Sequence, residues 1–498
     1  MVKCMSGGDR HEPLYRQIYD RLRARILSGE LEVGERLASS RDLAKELRVS
    51  RNVVLLAYEQ LEAEGYICGR SGSGTYVSEG LAGRREGAPR RRASVELSRF
   101  GASAAARGTR LDVPQMGGRD FPYDFAHGQS NLQCFPFIMW QRVLRRHARK
   151  AAHALDKGPI GGSDRLREAI CAYLRRARDV LCDPSRIVIV NGSQQALDLV
   201  VRVLLERGDH VAIEEPTHQG IRELLNFSGA HLHPVPVDGN GLIPDRLPAS
   251  ARALFVTPSH QFPTGALLPL RRRRALLDWA ARANAVIVED DCDAEFQHRE
   301  RRLQPLQGLD IEGRVIYIGT FSRTIFPALR LGYLVLPAGM VSAFSAAKWL
   351  CDRHAATPEQ EALADLITSG LYERHLRRVL RQSAASHAAL LEAVREHLGD
   401  RVTLTGDGAA AHMVLWLDCH VSEEAVIAGA AACGVRVYGL APYFAHSPRP
   451  GILLGHARLS DVEIREGIRR LGAVITAGPP AGALHWRTCA ELPAKLLG

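Results

Sequence analysis

Residues 317–333, YIGTFSRTIFPALRLGY, join the end of an apolar run to a loop of hydroxyl and basic side chains, and this stretch decides the fold. The apolar run at 315–318 predicts a buried strand. Hydroxyl and guanidinium groups donate hydrogen bonds to phosphate oxygens, and the loop offers such groups at Thr320, Ser322, Arg323 and Arg330. Arg323 raises a chemical question, because a guanidinium stays protonated at neutral pH and cannot attack an aldehyde as a lysine amine does.

Apolar runs of the same kind recur at 187–190, 254–256 and 286–288, and helical patterns separate them. Strands that alternate with helices predict an α/β fold with a mostly parallel, doubly wound sheet. Ligands of such sheets bind at the carboxyl ends of the strands. Asp290 follows one run, and Gly192 and Ser193 turn another run into a helix whose first amides suit a phosphate. Each feature alone can be structural, but together they predict a ligand pocket.

The N-terminal part carries three helical patterns followed by a glycine-punctuated hairpin. Leu14, Ile18, Leu22 and Ile26 recur at helical spacing, and Gly29 ends this first helix. Ser39 and Asp42 resemble a capping box for a second helix, and Ser50 can cap a third. Two short helices joined by a tight turn predict a helix-turn-helix that reads a major groove. The alternative is a small three-helix domain with a solvated basic face.

The bulk composition predicts a soluble protein of two or three domains. The chain has 498 residues, 46% of them hydrophobic and 24% charged, and its net charge of +10 is compatible with a nucleic-acid partner. No apolar run reaches the ~18–20 residues that span a bilayer, and no secretory signal core is present, so we expect a cytoplasmic protein without a membrane partner. The ten cysteines are scattered singly, which predicts free thiols and no zinc site.

Composition also sets the expected boundaries. We predict a DNA-binding domain at 11–78, a flexible basic linker at 79–121, a second domain at 122–477 and a peripheral tail at 478–498. The linker is rich in Gly, Ala, Ser and Arg, so it offers little apolar surface to bury. A run of four arginines at 271–274 is interpreted as the solvated start of a helix, and not as a phosphate patch.

The stretches LYRQIYDRLRARILSGEL, RLASSRDLAKELRVSRN and GSGTYV resemble the winged helix-turn-helix of the GntR family over residues 12–78. The resemblance implies binding of double-stranded operator DNA. It places the DNA contacts at Ser40, Arg41, Ser50, Arg51, Asn52, Arg70 and Gly72. Two positions depart from the family, which usually has Pro at the place of Ala38 and Thr at the place of Val53. The second change removes a hydroxyl and affects the operator preference, not DNA binding itself.

The stretches GSQQALDLVVRVLL, VTPSHQFPTGALLPL, EDDCDAEF and GTFSRTIFPALRLGYLVLP resemble the class I aminotransferases, which are fold type I pyridoxal-phosphate (PLP) enzymes. Fusion of this fold to a GntR module is the mark of MocR family transcriptional regulators. The resemblance implies a head-to-tail homodimer and a small C-terminal α+β subdomain. It places the cofactor-binding positions at Gly192, Ser193, Gln194, His218, Asp290, Cys292, Thr320, Ser322, Arg323 and Arg330.

The departures from that family concern the pocket. Arg323 stands where the family has the lysine that forms the Schiff base with PLP. Cys292, His218 and Asp156 stand where family members usually have tyrosine or another aromatic residue. We therefore expect no catalytic residue and no transaminase activity, with PLP bound at most noncovalently or not at all. A metal site at His218, Cys292 and His298 is not expected, because their spacing is irregular.

Several functions remain open on the sequence alone. A DNA-binding regulator can hold PLP by its phosphate and Asp290, bind another small anionic effector through Arg323, or bind no ligand. Arg323 can form a bidentate pair with a carboxylate or phosphate of the effector, or it can simply neutralise Asp290. The alternatives are a PLP-dependent aminotransferase with an accessory DNA-binding domain, and a purely structural dimeric DNA-binding protein.

Overall fold

The computed structural model describes residues 13–70, 73–79, 96–107, 121–150, 158–296, 304–406, 412–446 and 448–477. The chain divides into two compact units, 1–96 and 97–498. Gly72, Asp156, His298 and the predicted tail at 478–498 lie outside the described residues. No helix in the described part of the chain is both long and apolar enough to cross a membrane.

The first unit is a winged helix-turn-helix. Its elements are α1 (Leu14–Ser28), α2 (Ser40–Leu47), α3 (Arg51–Ala63), β1 (Ile67–Arg70) and β2 (Gly74–Val77). Strands β1 and β2 pair antiparallel and form the wing. The core collects the predicted apolar faces of α1 and α3, with Ile18, Leu22, Val54 and Leu61 buried. Leu14 is the exception: it is 50% exposed, because it is the first residue of α1 and extends beyond the core.

Part of the predicted linker has regular secondary structure. Residues Arg99–Arg107 form helix α4. Its Phe100 contacts Phe227 within the second unit, with ring centroids 5.6 Å apart. The prediction of a flexible segment is therefore wrong for these residues. The alanine-rich sequence has a high helix propensity, and one aromatic side chain gives the helix an apolar contact.

The second unit contains the remaining elements. Its strands are β3 (Tyr123–Asp124), β4 (Ile187–Val190), β5 (His210–Glu215), β6 (His231–Asp238), β7 (Gly241–Leu242), β8 (Ala253–Val256), β9 (Val286–Asp290), β10 (Val315–Thr320), β11 (Gly332–Val335), β12 (Thr403–Thr405), β13 (Met413–Trp416), β14 (Val435–Arg436), β15 (Tyr438–Gly439) and β16 (Gly451–Leu454). Its helices are α5 (Phe137–Lys150), α6 (Asp164–Arg178), α7 (Ser193–Leu204), α8 (Gln219–Ser228), α9 (Leu270–Ala283), α10 (Leu306–Leu309), α11 (Val341–Asp352), α12 (Thr357–Thr368), α13 (Leu371–His397), α14 (Glu423–Ala432) and α15 (Asp461–Ala477).

An eight-stranded sheet in the order β4-β11-β10-β9-β8-β5-β6-β7 organises this unit. The five strands from β10 to β6 are parallel, whereas β11 and β7 run antiparallel to their neighbours. Both faces are covered: Ile187 and Ile189 enter one apolar cluster, and Val188 and Val190 enter the cluster on the opposite face. The predicted doubly wound sheet is thus confirmed, with antiparallel strands near its edges.

A smaller subdomain follows, as expected. Strands β12, β13, β16 and β15 form a four-stranded antiparallel sheet, and α13 and α15 pack against each other beside it. The arginine run at 271–274 departs from its prediction. Arg273 is fully buried, because its guanidinium donates to the carbonyl oxygens of Leu268, Pro258 and Gln304 and lies 3.8 Å from Glu289.

Candidate functional site

Three consecutive carboxylates at the end of β9 face two different sides of the sheet, because side chains alternate across a strand. Glu289 is fully buried and accepts the backbone amides of Leu306 and Gln307. Asp291 is buried in an ion pair with Arg178, 2.5 Å away. Asp290 faces the other way. Its Oδ1 accepts the amide of Cys292 at 3.2 Å, and burial raises its pKa to about 6.

A set of residues that we call the anion cradle lies at the start of α7, at the end of β10 and in the segment between β10 and β11. Its members are Gly192, Ser193, Thr320, Ser322 and Arg330. Gly192 has a φ of +83°, and a Cβ atom placed there would lie 2.7 Å from Nη2 of Arg330. The Arg330 guanidinium donates to the carbonyl oxygen of Asn191 at 2.9 Å, which fixes it at the helix N-terminus. A positive side chain and free helix amides at one point suit an anion.

The hydroxyl groups of the cradle are connected with each other. Thr320 Oγ1 and Ser322 Oγ lie 3.0 Å apart, and the Ser322 amide donates to Thr320 Oγ1 at 3.2 Å. Cys292 lies between the cradle and the strand end, because its amide donates to Asp290 and its side chain lies close to Ser193. Burial raises the pKa of the Cys292 thiol well above its usual value, so Cys292 is a neutral group here.

Two further predicted positions, His218 and Gln194, lie beside Gly220. His218 precedes α8 and accepts the amide of Gly220 through Nδ1 at 3.1 Å. A Cβ atom on Gly220 would lie 2.8 Å from Oε1 of Gln194 and 3.0 Å from the His218 ring. His218 also lies against Phe262, with ring centroids 5.4 Å apart. The His218 side chain is exposed to solvent.

Arg323 is buried. One hypothesis from the sequence was that Arg323 neutralises Asp290, but in the structure its partner is a different carboxylate. The Arg323 Nε lies 2.8 Å from Oδ1 of Asp293, and its Nη1 donates to the carbonyl oxygen of Gln129 at 3.3 Å. The guanidinium also lies over the Phe296 ring, 5.5 Å from its centroid. Burial by itself raises the pKa of Asp293, but the charge of Arg323 outweighs that effect and holds the pKa below its usual value.

Sequence reasoning missed the buried histidines around this ion pair. His260 and His412 face each other with ring centroids 4.7 Å apart. His127 bonds to the Tyr443 hydroxyl at 2.9 Å, and burial lowers the pKa of His127 and of His456 to about 3. The chain positions are too far apart for any spacing rule to group them. Only Asp293, three residues after Asp290, carried a local signal in EDDCDAEF.

The first unit places most of its predicted DNA-contact residues at the start of α2 and α3. The Arg51 Nε donates to the Ser40 hydroxyl at 3.2 Å, which ties the two helices together. Arg41 and Asn52 are exposed beside them. Ser39 caps α2 by accepting the Asp42 amide at 3.2 Å, as predicted. Ser50 occupies the N-cap position of α3, but its side chain makes no capping hydrogen bond, contrary to expectation.

The wing carries Arg70 at the end of β1. Its guanidinium lies 3.2 Å from Glu79 and over the Tyr76 ring, 4.9 Å from the centroid. Both groups are exposed, so the ion pair contributes little to stability. Arg70 therefore has a defined position while its charge remains accessible from solvent.

Comparison with known proteins agrees with both units. The family model for bacterial regulatory proteins of the gntR family matches residues 14–77, and that for class I and II aminotransferases matches residues 127–465. The chain is similar to the probable rhizopine catabolism regulatory protein MocR of Rhizobium meliloti, with 39% identity over 489 residues and 96% of each chain covered. It is also similar to the pyridoxine biosynthesis transcriptional regulator PdxR of Corynebacterium glutamicum, with 28% identity over 94% of this chain and 98% of that one.

Two solved structures are similar to the second unit. The kynurenine aminotransferase of Pyrococcus horikoshii, solved in complex with PMP, aligns with a TM-score of 0.68 and 26% identity over 77% of this chain and 95% of that chain. The α-aminoadipate aminotransferase LysN of Thermus thermophilus, complexed with N-(5'-phosphopyridoxyl)-L-leucine, aligns with a TM-score of 0.67 and 29% identity over 72% of this chain and 93% of that chain.

Proposed function

Because the chain belongs to the family of MocR-type regulators, in which a GntR helix-turn-helix is joined to an aminotransferase domain, we propose that it is a DNA-binding transcriptional regulator. Its aminotransferase-like domain forms a homodimer and senses a small phosphate-bearing ligand without forming a covalent bond to it. The ligand that fits best is PLP, held noncovalently.

The exposed residues of the first unit support DNA binding. Arg41, Arg51 and Asn52 lie together at the N-terminal ends of α2 and α3, where a helix-turn-helix contacts phosphates and base edges. The free hydroxyl of Ser50 adds a donor at the same place, since it is not used to cap α3. Arg70 on the wing supplies a second positive contact outside the major groove.

The anion cradle supports a phosphate ester. Arg330 and the first amides of α7 meet at Gly192, where even a methyl group would collide with the guanidinium, and the bonded hydroxyls of Thr320 and Ser322 lie at the end of β10. Asp290 supplies an acceptor at the adjacent strand end and carries no arginine partner in the described structure. A group of donors at one end and one carboxylate at the other matches a phosphorylated pyridine such as PLP.

One observation carries the noncovalent part of the proposal: Arg323 is held by Asp293 and the Gln129 carbonyl oxygen. PLP reacts with amines through its aldehyde, and a delocalised guanidinium has no free electron pair for that attack. The same two contacts occupy Nε and Nη1, which disfavours an effector that pairs with Arg323 instead of binding in the cradle.

The test combines spectroscopy with reduction. We expect PLP to raise the melting temperature of the native protein without a visible aldimine band, and borohydride to attach no cofactor to residue 323 by mass spectrometry. The variant Arg323→Lys should gain the band and the reducible bond, because the cradle and Asp290 are retained. A borohydride-stable adduct at position 323 of the native protein would contradict the proposal.

A second candidate is an aminotransferase with an accessory DNA-binding domain, which the similarity to solved aminotransferases favours. Transamination by the native protein, measured with a set of amino-acid donors and 2-oxo acids, distinguishes the two. If neither PLP nor any metabolite changes the melting temperature or the affinity for operator DNA, the third possibility holds, a structural dimeric DNA-binding protein. Sedimentation equilibrium of the full chain tests the homodimer.

A further inference from the structure

A second site lies beside the ligand pocket, formed by His260, His412 and Asp293. One potential ligand atom of each residue lies within 4.8 Å of the others. Two ligand atoms that each lie about 2.1 Å from one zinc ion are at most about 4.2 Å apart. A small approach of the three side chains therefore suffices to enclose an ion. The residues come from three distant segments, between β8 and α9, after β9 and before β13.

Each of the two histidines keeps at least one ring nitrogen that is available to a metal ion. His260 is 5% exposed, and both of its ring nitrogens are buried without a hydrogen-bond partner. Buried polar atoms in native proteins almost always have partners, so this imidazole points to a group that is not protein. His412 is 1% exposed, and its Nε2–H donates to the Pro263 carbonyl oxygen at 2.8 Å. That bond leaves the lone pair on Nδ1 and is typical of a metal-binding histidine.

The charge states fit as well. Burial lowers the pKa of both His260 and His412, so both imidazoles are neutral and able to bind a metal. Asp293 is ionised, because the charge of the Arg323 guanidinium holds its pKa below the usual value despite burial. Two imidazoles and one carboxylate form a donor set that suits first-row transition metals.

We propose that His260, His412 and Asp293 bind a divalent first-row transition-metal ion of the zinc type. Arg323 is the competitor of this ion, since its guanidinium already occupies Oδ1 of Asp293. The bound metal ion either displaces Arg323 from the Asp293 carboxylate or binds the second carboxylate oxygen while Arg323 keeps the first. The site therefore couples the ion to the position of Arg323, at the border of the ligand pocket.

Cobalt titration tests the site, because Co²⁺ replaces zinc and absorbs visible light according to its ligands. The full-length protein, first treated with a chelator, should bind one Co²⁺ per chain with a saturable visible band that Zn²⁺ removes. His260→Gln and His412→Gln should each lower the affinity by more than the roughly 10- to 100-fold that loss of an outer-shell partner costs. Arg323→Met should raise the affinity, because it removes the competing cation.

The exposed pair His210 and His233 supplies the matched control, since their ring nitrogens lie 2.6 Å apart on the surface and also attract metal ions. The double variant His210→Gln/His233→Gln should keep the band. Asp293→Asn has almost the same volume as the native residue and tests the site if a histidine variant unfolds. Absence of a saturable band overturns the proposal, as does a band that survives His260→Gln, His412→Gln and Asp293→Asn or disappears in the surface variant.

Discussion

The Nε of Arg323 lies 2.8 Å from Oδ1 of Asp293, and both side chains are largely buried, 9% and 17% exposed. Arg323 is the residue that we expect, from the resemblance to the aminotransferase family, at the position of a Schiff-base lysine. The ion pair places the guanidinium away from Asp290, which keeps its carboxylate for another partner. Removal of one buried charge leaves the other without its partner, and this destabilises the fold more than removal of both charges. The first prediction follows from this difference.

Arg323→Met should lower the free energy of unfolding of the second unit by about 2–4 kcal/mol, because Asp293 then remains ionised and buried without its partner. The double variant Arg323→Met/Asp293→Asn should recover most of this loss, since it removes both charges. Urea unfolding monitored by tryptophan fluorescence measures the cycle. Additive losses in the double variant would mean that the two side chains do not interact.

The second prediction concerns Asp290, whose pKa is raised by burial to about 6. A carboxyl group with a raised pKa keeps its proton longer in the folded state than in the unfolded one. Its ionisation therefore destabilises the fold progressively from the unfolded pKa of about 4 up to about 6, and fully above that. Asp290→Asn should stabilise the protein by about 1–2 kcal/mol at pH 7, because Asp290 is partly exposed and the cost is screened.

The same variant should bind PLP more weakly, since the amide cannot stabilise a protonated pyridine nitrogen. Melting temperatures at pH 4.5 and pH 7, each with and without PLP, separate the two effects. At the lower pH the native protein and the variant should nearly coincide. A variant that is less stable than the native protein at pH 7 would show that Asp290 has a structural partner.

Much of this architecture was accessible from the sequence for local physical reasons. The strand at Ile187–Val190 is four consecutive β-branched residues, and a short apolar run of this kind predicts a strand that is buried on both faces. Ser39 and Asp42 are three residues apart, so the capping box was visible as a spacing. The cradle was visible too, because strand–turn–helix order places Gly192 at a helix N-terminus.

The parts that escaped prediction depend on tertiary packing. Arg273 belongs to a run of four arginines that looks solvated, yet two carbonyl oxygens before α9 and a third before α10 satisfy its guanidinium inside the core. The partner of Arg323 was ambiguous because Asp290 and Asp293 are equally near in sequence, and only the direction of the backbone after β9 decides. His260 and His412 are distant in the chain, so no periodicity relates them.

The two N-cap serines of the helix-turn-helix give a third prediction. Ser39→Ala should lower the local stability of α2 by about 1 kcal/mol, because the Asp42 amide loses its acceptor. Ser50→Ala should leave α3 nearly unchanged, since its side chain makes no capping bond, but should weaken DNA binding if the hydroxyl contacts a phosphate. Hydrogen exchange of peptides covering each helix measures stability, and a fluorescent duplex measures affinity. Equal losses of protection would contradict the assigned roles.

The arginines at the same surface give a fourth prediction. Arg41→Ala should weaken binding to duplexes of any sequence and reduce the slope of log affinity against log salt by about 0.9, the value for one phosphate contact. Arg401→Ala, an exposed arginine of the second unit, is the matched control and should leave the slope unchanged. Fluorescence anisotropy at several salt concentrations provides both slopes. Equal slopes for the two variants would remove Arg41 from the interface.

The last prediction compares two glycines in order to separate the effect of backbone strain on stability from the effect of a blocked cradle on ligand binding. Gly192 and Gly208 have φ values of +83° and +92°, so alanine is strained at both. A Cβ atom meets Arg330 Nη2 at 2.7 Å at position 192, but meets nothing within 4 Å at position 208. Both variants should therefore lose about 1–2 kcal/mol of stability, whereas only Gly192→Ala should displace Arg330 and abolish the PLP-induced rise in melting temperature. Retention of that rise in Gly192→Ala would mean that the phosphate does not bind at this helix N-terminus.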